Sequence, residues 1–166
     1  MIRLEALQLR RLATEALRQL GVENTASVVD VRELTDGTWM VDFEDRSPDT
    51  RFPGFAIDIQ QAWSPEQAGR ELRLELRSKL WICPLCQHRS QIRRIIDREV
   101  FRIECSRCGR FEIDHALLEE FRVAYESNDS PVVAQLARLA TLVGQTVGMP
   151  LLSADNWRSF AGERTS

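Results

Sequence analysis

Lysine is almost missing from this 166-residue chain: Lys79 is the single one, and every other cationic side chain besides histidine is arginine. Arginine codons are favoured in GC-rich genomes, so this bias carries little functional weight by itself. No run reaches the roughly 18 consecutive apolar residues that a membrane-spanning helix needs, which excludes a helical span from the sequence pattern. Between Met1 and Leu20, the charges Arg3, Glu5, Arg10, Arg11, Glu15 and Arg18 interrupt any apolar stretch. A secretory signal needs an unbroken one behind a basic start, so a cytoplasmic protein is expected. Gly-rich phosphate loops, a nucleophile elbow and an H-E-x-x-H helix are all missing, which removes the commonest catalytic sets. Cysteine is scarce too, with four residues in two close pairs. Without an export signal, pairs this close read as metal ligands rather than disulfides.

What is present describes a folded domain. Hydrophobic residues make up 43% and charged residues 28%, a balance too apolar for a disordered chain. The formal net charge of −3 does not advertise nucleic-acid binding by the chain as a whole. Its distribution is uneven: residues 1–80 carry −3, residues 81–115 carry +2 and residues 116–166 carry −2. The cysteine-bearing segment is the one net basic stretch.

Periodicity predicts an α+β protein. Leu9, Leu12, Ala13, Ala16, Leu17 and Leu20 form one apolar stripe of a helix that Gly21 ends. Alternating residues from Ser27 to Leu34 and Thr38 to Phe43 flank Asp36-Gly37, a hairpin turn signal. A Pro- and Asp-containing loop over 44–54 leads to a third strand from Phe55 to Ile59. Ser64-Pro65-Glu66-Gln67 is a capping box opening a helix to about Leu80. Residues 1–80 therefore read as an α-β-β-β-α unit. Farther on, Asp114 caps a helix to about Tyr125, Ser130-Pro131 opens another to about Val147, and Ser153 caps a short helix carrying Trp157 and Phe160. Residues 162–166 are expected to fray. Residues 114–166 thus form a helical C-terminal segment packed on the central part.

The cysteine pattern is C-P-L-C, eighteen intervening residues, then C-S-R-C-G. This spacing is that of a four-cysteine metal site, because each C-x-x-C turn folds two sulfurs toward one ion and leaves backbone amides free to donate to them. The β-prone runs Gln91–Ile96 and Val100–Glu104 make a returning hairpin, and Phe111-Glu112-Ile113 adds a third strand. Gly109 supplies a positive φ after the last cysteine. With these residues, C-P-L-C and C-S-R-C-G-R-F-E-I, the segment 81–113 resembles the zinc-ribbon family, although Gln87 stands where that family commonly has glycine. The resemblance implies one structural Zn²⁺ held by Cys83, Cys86, Cys105 and Cys108. Four thiolates close the coordination shell and leave no position for a catalytic water. Iron in a rubredoxin-like site is the competing occupant, and His88 the competing ligand. Redox chemistry at either C-x-x-C needs a helix N-terminus, which neither pair has by this reading. C-S-R-C-G-R-F-E-I before a helix, with S-A-D-N-W later, also resembles small bacterial ribbon-containing proteins of mobile-element or phage-defence context.

Arg89, Arg93, Arg94, Arg98, Arg102, Arg107 and Arg110 surround the ribbon. Guanidinium forks match phosphate oxygens, so these seven are candidate nucleic-acid contacts, against the plainer reading of a solvated hairpin. Strand alternation leaves neither face purely basic, and a tetrathiolate ion would carry a net −2. Trp63, Trp81, Trp157 and Phe160 are expected to pack between ribbon and helices, with partner anchoring as their second use. The element order of residues 1–80 matches a double-stranded RNA-binding module, but Ser64-Pro65-Glu66-Gln67 puts an acid where that module carries lysines. Asp42, Glu44, Asp45, Asp49 and Asp58 are candidate Mg²⁺ ligands for a nuclease, or a solvated acidic surface. The resulting expectation is a non-enzymatic nucleic-acid-binding or assembly subunit, with DNA or RNA and a protein as partners and no membrane. A protein adaptor with purely structural zinc is the alternative, and a Mg²⁺-dependent nuclease the third reading.

Overall fold

The computed structural model describes residues 3–48, 53–127 and 129–162. Asp49 and the tail 163–166, both singled out above, lie outside these. The chain divides into two compact units, 1–80 and 81–166. Residues 81–113 and 114–166 share one core in the second, so the ribbon segment and the helices after it form one unit.

The first unit is an α+β unit in the expected order. Helix α1 spans Ala6–Gln19 and buries Leu9, Ala13, Ala16 and Leu17. It ends because Gly21 takes φ +70°; the Gly21 N–H reaches the Arg18 carbonyl at 3.0 Å and the Val22 N–H that of Leu17 at 3.1 Å, a Schellman stop. Strands β1 (Ala26–Glu33), β2 (Thr38–Asp45) and β3 (Gly54–Gln60) form an antiparallel sheet in that order. At the β1–β2 turn Gly37 has φ +82° and the Asp36 carboxylate accepts from the Thr38 N–H at 3.1 Å. One sheet face carries Trp39, Val41, Phe43, Ile57 and Ile59, all buried. Helices α1 and α2 (Pro65–Lys79) pack against the sheet and each other.

The second unit is built on β4 (Gln91–Ile95), β5 (Val100–Cys105) and β6 (Gly109–Asp114), an antiparallel meander. A 3-10 turn over Ile96–Arg98 and Glu99 at φ +49° close the first hairpin. Two helices follow, α3 (His115–Glu126) and α4 (Ser130–Gln145), then β7 (Leu151–Leu152) and α5 (Trp157–Phe160). Strand β7 pairs in parallel with β6, an addition that the sequence pattern did not suggest. Ile103, Phe111 and Ile113 on the inner sheet face share a core with Leu117, Phe121, Leu136, Leu139 and Trp157. Trp157 meets Phe121 edge to face at 5.1 Å, a favoured aromatic geometry.

Caps set the helix starts. Asp114 accepts from the Leu117 N–H at 2.7 Å, as its position predicts. Ser130 opens α4 with Pro131 in its first turn, as the sequence predicts, and the Asp129 carboxylate before it accepts from the Val132 N–H. The cap expected of Ser153 does not form: α5 starts with no side-chain cap bond, and the Asn156 amide instead accepts from the Ser153 N–H and donates to the Leu151 carbonyl, both at 2.8 Å, bracing the turn before the helix.

Ser64 accepts from the Gln67 N–H at 3.1 Å, with Pro65 in the first helical turn. Replacing that cap with Ser64→Ala is expected to cost about 1 kcal/mol. The check is a lowered midpoint of urea unfolding with an unchanged slope.

Candidate metal centre

The two cysteine turns are local products of backbone hydrogen bonding. In the first, the Cys83 N–H donates to the His88 carbonyl at 2.7 Å and the Gln87 N–H to the Cys83 carbonyl at 3.0 Å. The Ser90 N–H then reaches the Trp81 carbonyl at 2.9 Å, and Ile82 bridges to Arg89. In the second, Cys105 pairs with Gly109 at the end of β5 and β6. Each turn closes on a residue of positive φ directly after its second cysteine: Gln87 at +63° and Gly109 at +82°. Gln87 therefore adopts the conformation that glycine commonly supplies, at a cost that is real for a residue with a Cβ. Its Nε2 donates to the Cys83 carbonyl at 3.0 Å, while its Oε1 is buried with no hydrogen-bond partner.

These turns bring the four sulfurs within 4.8 Å of one another. Cys86 Sγ lies 3.5 Å from Cys105 Sγ, and Cys83 Sγ lies 3.9 Å from Cys108 Sγ. A regular tetrahedron of metal–sulfur bonds of about 2.3 Å has edges of about 3.8 Å, so the cluster has the size of a tetrathiolate site. A disulfide, at about 2.05 Å, is much shorter than either separation, and all four cysteines are free. The four cysteines can hold a metal ion. They are the one group of three or more Cys, His, Asp or Glu drawn together in this way among the described residues.

Thiols this close share protons unequally. The Cys83 thiol is pushed up, first by its hydrogen bond with Cys105. Cys108 is also raised, and Cys105 is again the largest cause. Cys105 is held far below the ordinary thiol range, by Cys108 first and then by Cys83 and Cys86. For Cys86, the bond with Cys105 raises the value, but those with Cys108 and Cys83 bring the net down to about 6. Backbone amides of His88 and Cys108 further favour thiolate at Cys86 and Cys105, respectively. A cation entering the cluster displaces the protons that its thiols hold.

Burial grades the ligands. Cys83, Cys105 and Cys108 are buried, and Cys86 is half-buried. Helix α3 pins the first turn through the Tyr125 hydroxyl, which donates to the Leu85 carbonyl at 2.9 Å. His88 is exposed, with Nδ1 3.2 Å from the Cys86 carbonyl, and is no part of the sulfur cluster. His115 opens α3, near Phe101.

The seven arginines separate into groups. Arg98 and Arg102 both bind Glu112, at 3.1 and 2.9 Å. Glu112 is 4% exposed, and two guanidinium groups supply the charge that a buried carboxylate needs. Arg110 pairs with the exposed Glu104 at 3.0 Å, a contact worth little. Arg89 is half-buried and engaged. Arg93, Arg94 and Arg107 are exposed and make no ion pair among the described residues. The structure thus does not bring the seven together as one basic patch. Glu112 is the residue that sequence reasoning missed: it stands between Phe111 and Ile113 as one more outward position, and its partner Arg102 is set by strand register.

Among the described residues the candidate acids of the first unit form no metal-holding cluster either. Asp42 is held by Arg32 at 2.9 Å, Asp45 is buried on the opposite sheet face from Asp42, and Asp58 pairs in register with Met40.

Comparison of the chain with protein-family models, with curated proteins and with solved structures returned no match.

Gln87→Gly removes the strain of a positive φ and a buried unpartnered oxygen, but loses one hydrogen bond and adds chain entropy. It is expected to stay within about 1 kcal/mol of the parent. Gln87→Val, β-branched at φ +63°, is expected to lose more than about 1 kcal/mol. Thermal unfolding of both variants gives the comparison.

Proposed function

We propose that Cys83, Cys86, Cys105 and Cys108 hold one Zn²⁺ as a structural ion and that the chain is a non-catalytic binding subunit. The observation that carries this reading is the tetrathiol cluster itself: soft sulfur donors at tetrahedral spacing suit zinc or iron–sulfur coordination. The spacing that resembles a zinc ribbon favours zinc. Bound there, the ion would supply a folding constraint, and four thiolates leave it no site for substrate.

The ligand we propose is a nucleic-acid backbone, contacted by Arg93, Arg94 and Arg107. Their support is exposure without an internal ion pair; Arg98, Arg102 and Arg110 already have carboxylate partners. A second reading, an adaptor for a protein partner, is favoured by the exposed apolar residues Val147, Met149 and Leu151 close together in sequence. Membership of a bacterial defence or mobile-element complex fits either reading through the short resemblances noted above. No helix of the described residues is long and apolar enough to cross a membrane.

Two measurements test this. Elemental analysis of freshly purified protein is expected to give one zinc per chain, and Cys105→Ser to lose the zinc together with the fold of residues 81–166, because binding and folding are coupled. Since the ligating sulfurs must be deprotonated, protons compete as pH falls, and zinc is expected to stay bound near neutrality and to leave on acidification. A zinc-free native protein would refute the reading.

Electrophoretic shift at low and moderate salt is expected to show salt-sensitive binding to DNA or RNA, reduced several-fold in the Arg93→Ala, Arg94→Ala, Arg107→Ala triple variant. No salt-sensitive binding overturns the nucleic-acid reading. A nuclease-resistant protein complex, lost in Val147→Asp, would then support the adaptor.

A further inference from the structure

The four sulfurs are not equally accessible. Cys83, Cys105 and Cys108 are at most 5% exposed, and Cys86 is the half-buried one. Beside it lies a cavity of about 380 Å³, lined on one side by Leu85, Cys86 and Arg107 and on the other by Tyr125, Ala137 and Ala140. A water molecule occupies about 30 Å³, so the cavity admits a small reagent to the Cys86 sulfur. Cys108 borders the same cavity but is 1% exposed. The Cys86 sulfur lies 3.5 Å from that of Cys105, across the two turns.

We propose that Cys86 is the modification site of the cluster: hydroperoxides and thiol-directed electrophiles enter by this cavity, attack falls first on Cys86, and the first disulfide joins Cys86 to Cys105. This rests on the zinc reading above. The Cys86 thiolate attacks the peroxide; an S–O bond forms, the O–O bond breaks and hydroxide leaves, so the sulfur is oxidised to sulfenic acid. The Cys105 thiolate then attacks that sulfur; the S–S bond forms and a second hydroxide leaves. Two thiolates have given two electrons to one hydrogen peroxide, which ends as two hydroxides. An ion in the cluster loses two of its four ligands by this step, which makes metal retention sensitive to oxidant.

Trypsin puts Cys83 and Cys86 in the peptide 80–89, Cys105 in 103–107 and Cys108 in 108–110, and fragmentation of peptide 80–89 in the mass spectrometer tells Cys86 from Cys83. The experiment uses the full zinc-loaded chain, with zinc counted first, then treated with limiting N-ethylmaleimide or hydrogen peroxide. Expected are maleimide on Cys86 several-fold ahead of the other three, and a peroxide product linking peptide 80–89 through Cys86 to peptide 103–107, with zinc release in step. Ala137→Trp, an exposed cavity position, is expected to slow both reactions several-fold at unchanged zinc content. One zinc per chain with equal labelling of all four cysteines, a first disulfide without Cys86, or a Cys83–Cys86 bridge overturns this inference alone. So does unchanged labelling of a zinc-replete Ala137→Trp variant. A protein that carries no zinc removes the zinc reading and this inference with it.

Discussion

Four sulfurs within 4.8 Å of one another are an arrangement that cannot persist as four thiolates, because like charges at such distances in a partly buried site repel strongly. The cluster needs either shared protons or a cation. Much of the second unit hangs on that constraint. The turns before β4 and between β5 and β6 have the shape that aims sulfur inward, and the hairpin between them returns the chain to the same point. The sulfurs then join Leu85, Ile103 and Phe111 in the core on which α3 and α4 rest. Tyr125 ties α3 to the first turn directly.

Charge outside the cluster is arranged to satisfy the protein before any ligand. Glu112 is nearly buried in β6, and an isolated carboxylate there would be costly. Arg98 from the hairpin loop and Arg102 from β5 converge on it. A run of arginines that reads as one basic surface is thus partly an internal counter-charge. The cations left over are few and spread over β4 and the second cysteine turn. In the first unit Arg32 does the same for Asp42, and Asp45 turns inward.

The same logic explains which local choices were legible. Gly21, Gly37, Ser64 and Asp114 act through hydrogen bonds within a few residues of themselves, so sequence neighbours suffice to assign them. The cap expected of Ser153 does not form, because the Asn156 amide turns back onto Ser153 and Leu151 and the backbone path there sets the turn. Strand β7 was not legible: two residues, Leu151 and Leu152, carry no period, and their pairing with Glu112 and Ile113 depends on where α4 ends.

The sequence by itself determined the α+β order of elements and the identity of the four cysteines, because helix period, strand alternation and C-x-x-C spacing are local properties of the chain. Tertiary structure alone decided that β7 adds to the ribbon sheet, that Glu112 pairs with both Arg98 and Arg102, and that Cys86 is the accessible sulfur. Each of these depends on strand register and helix packing over long sequence separations, where many partners are compatible with the same local pattern and only the assembled core selects one.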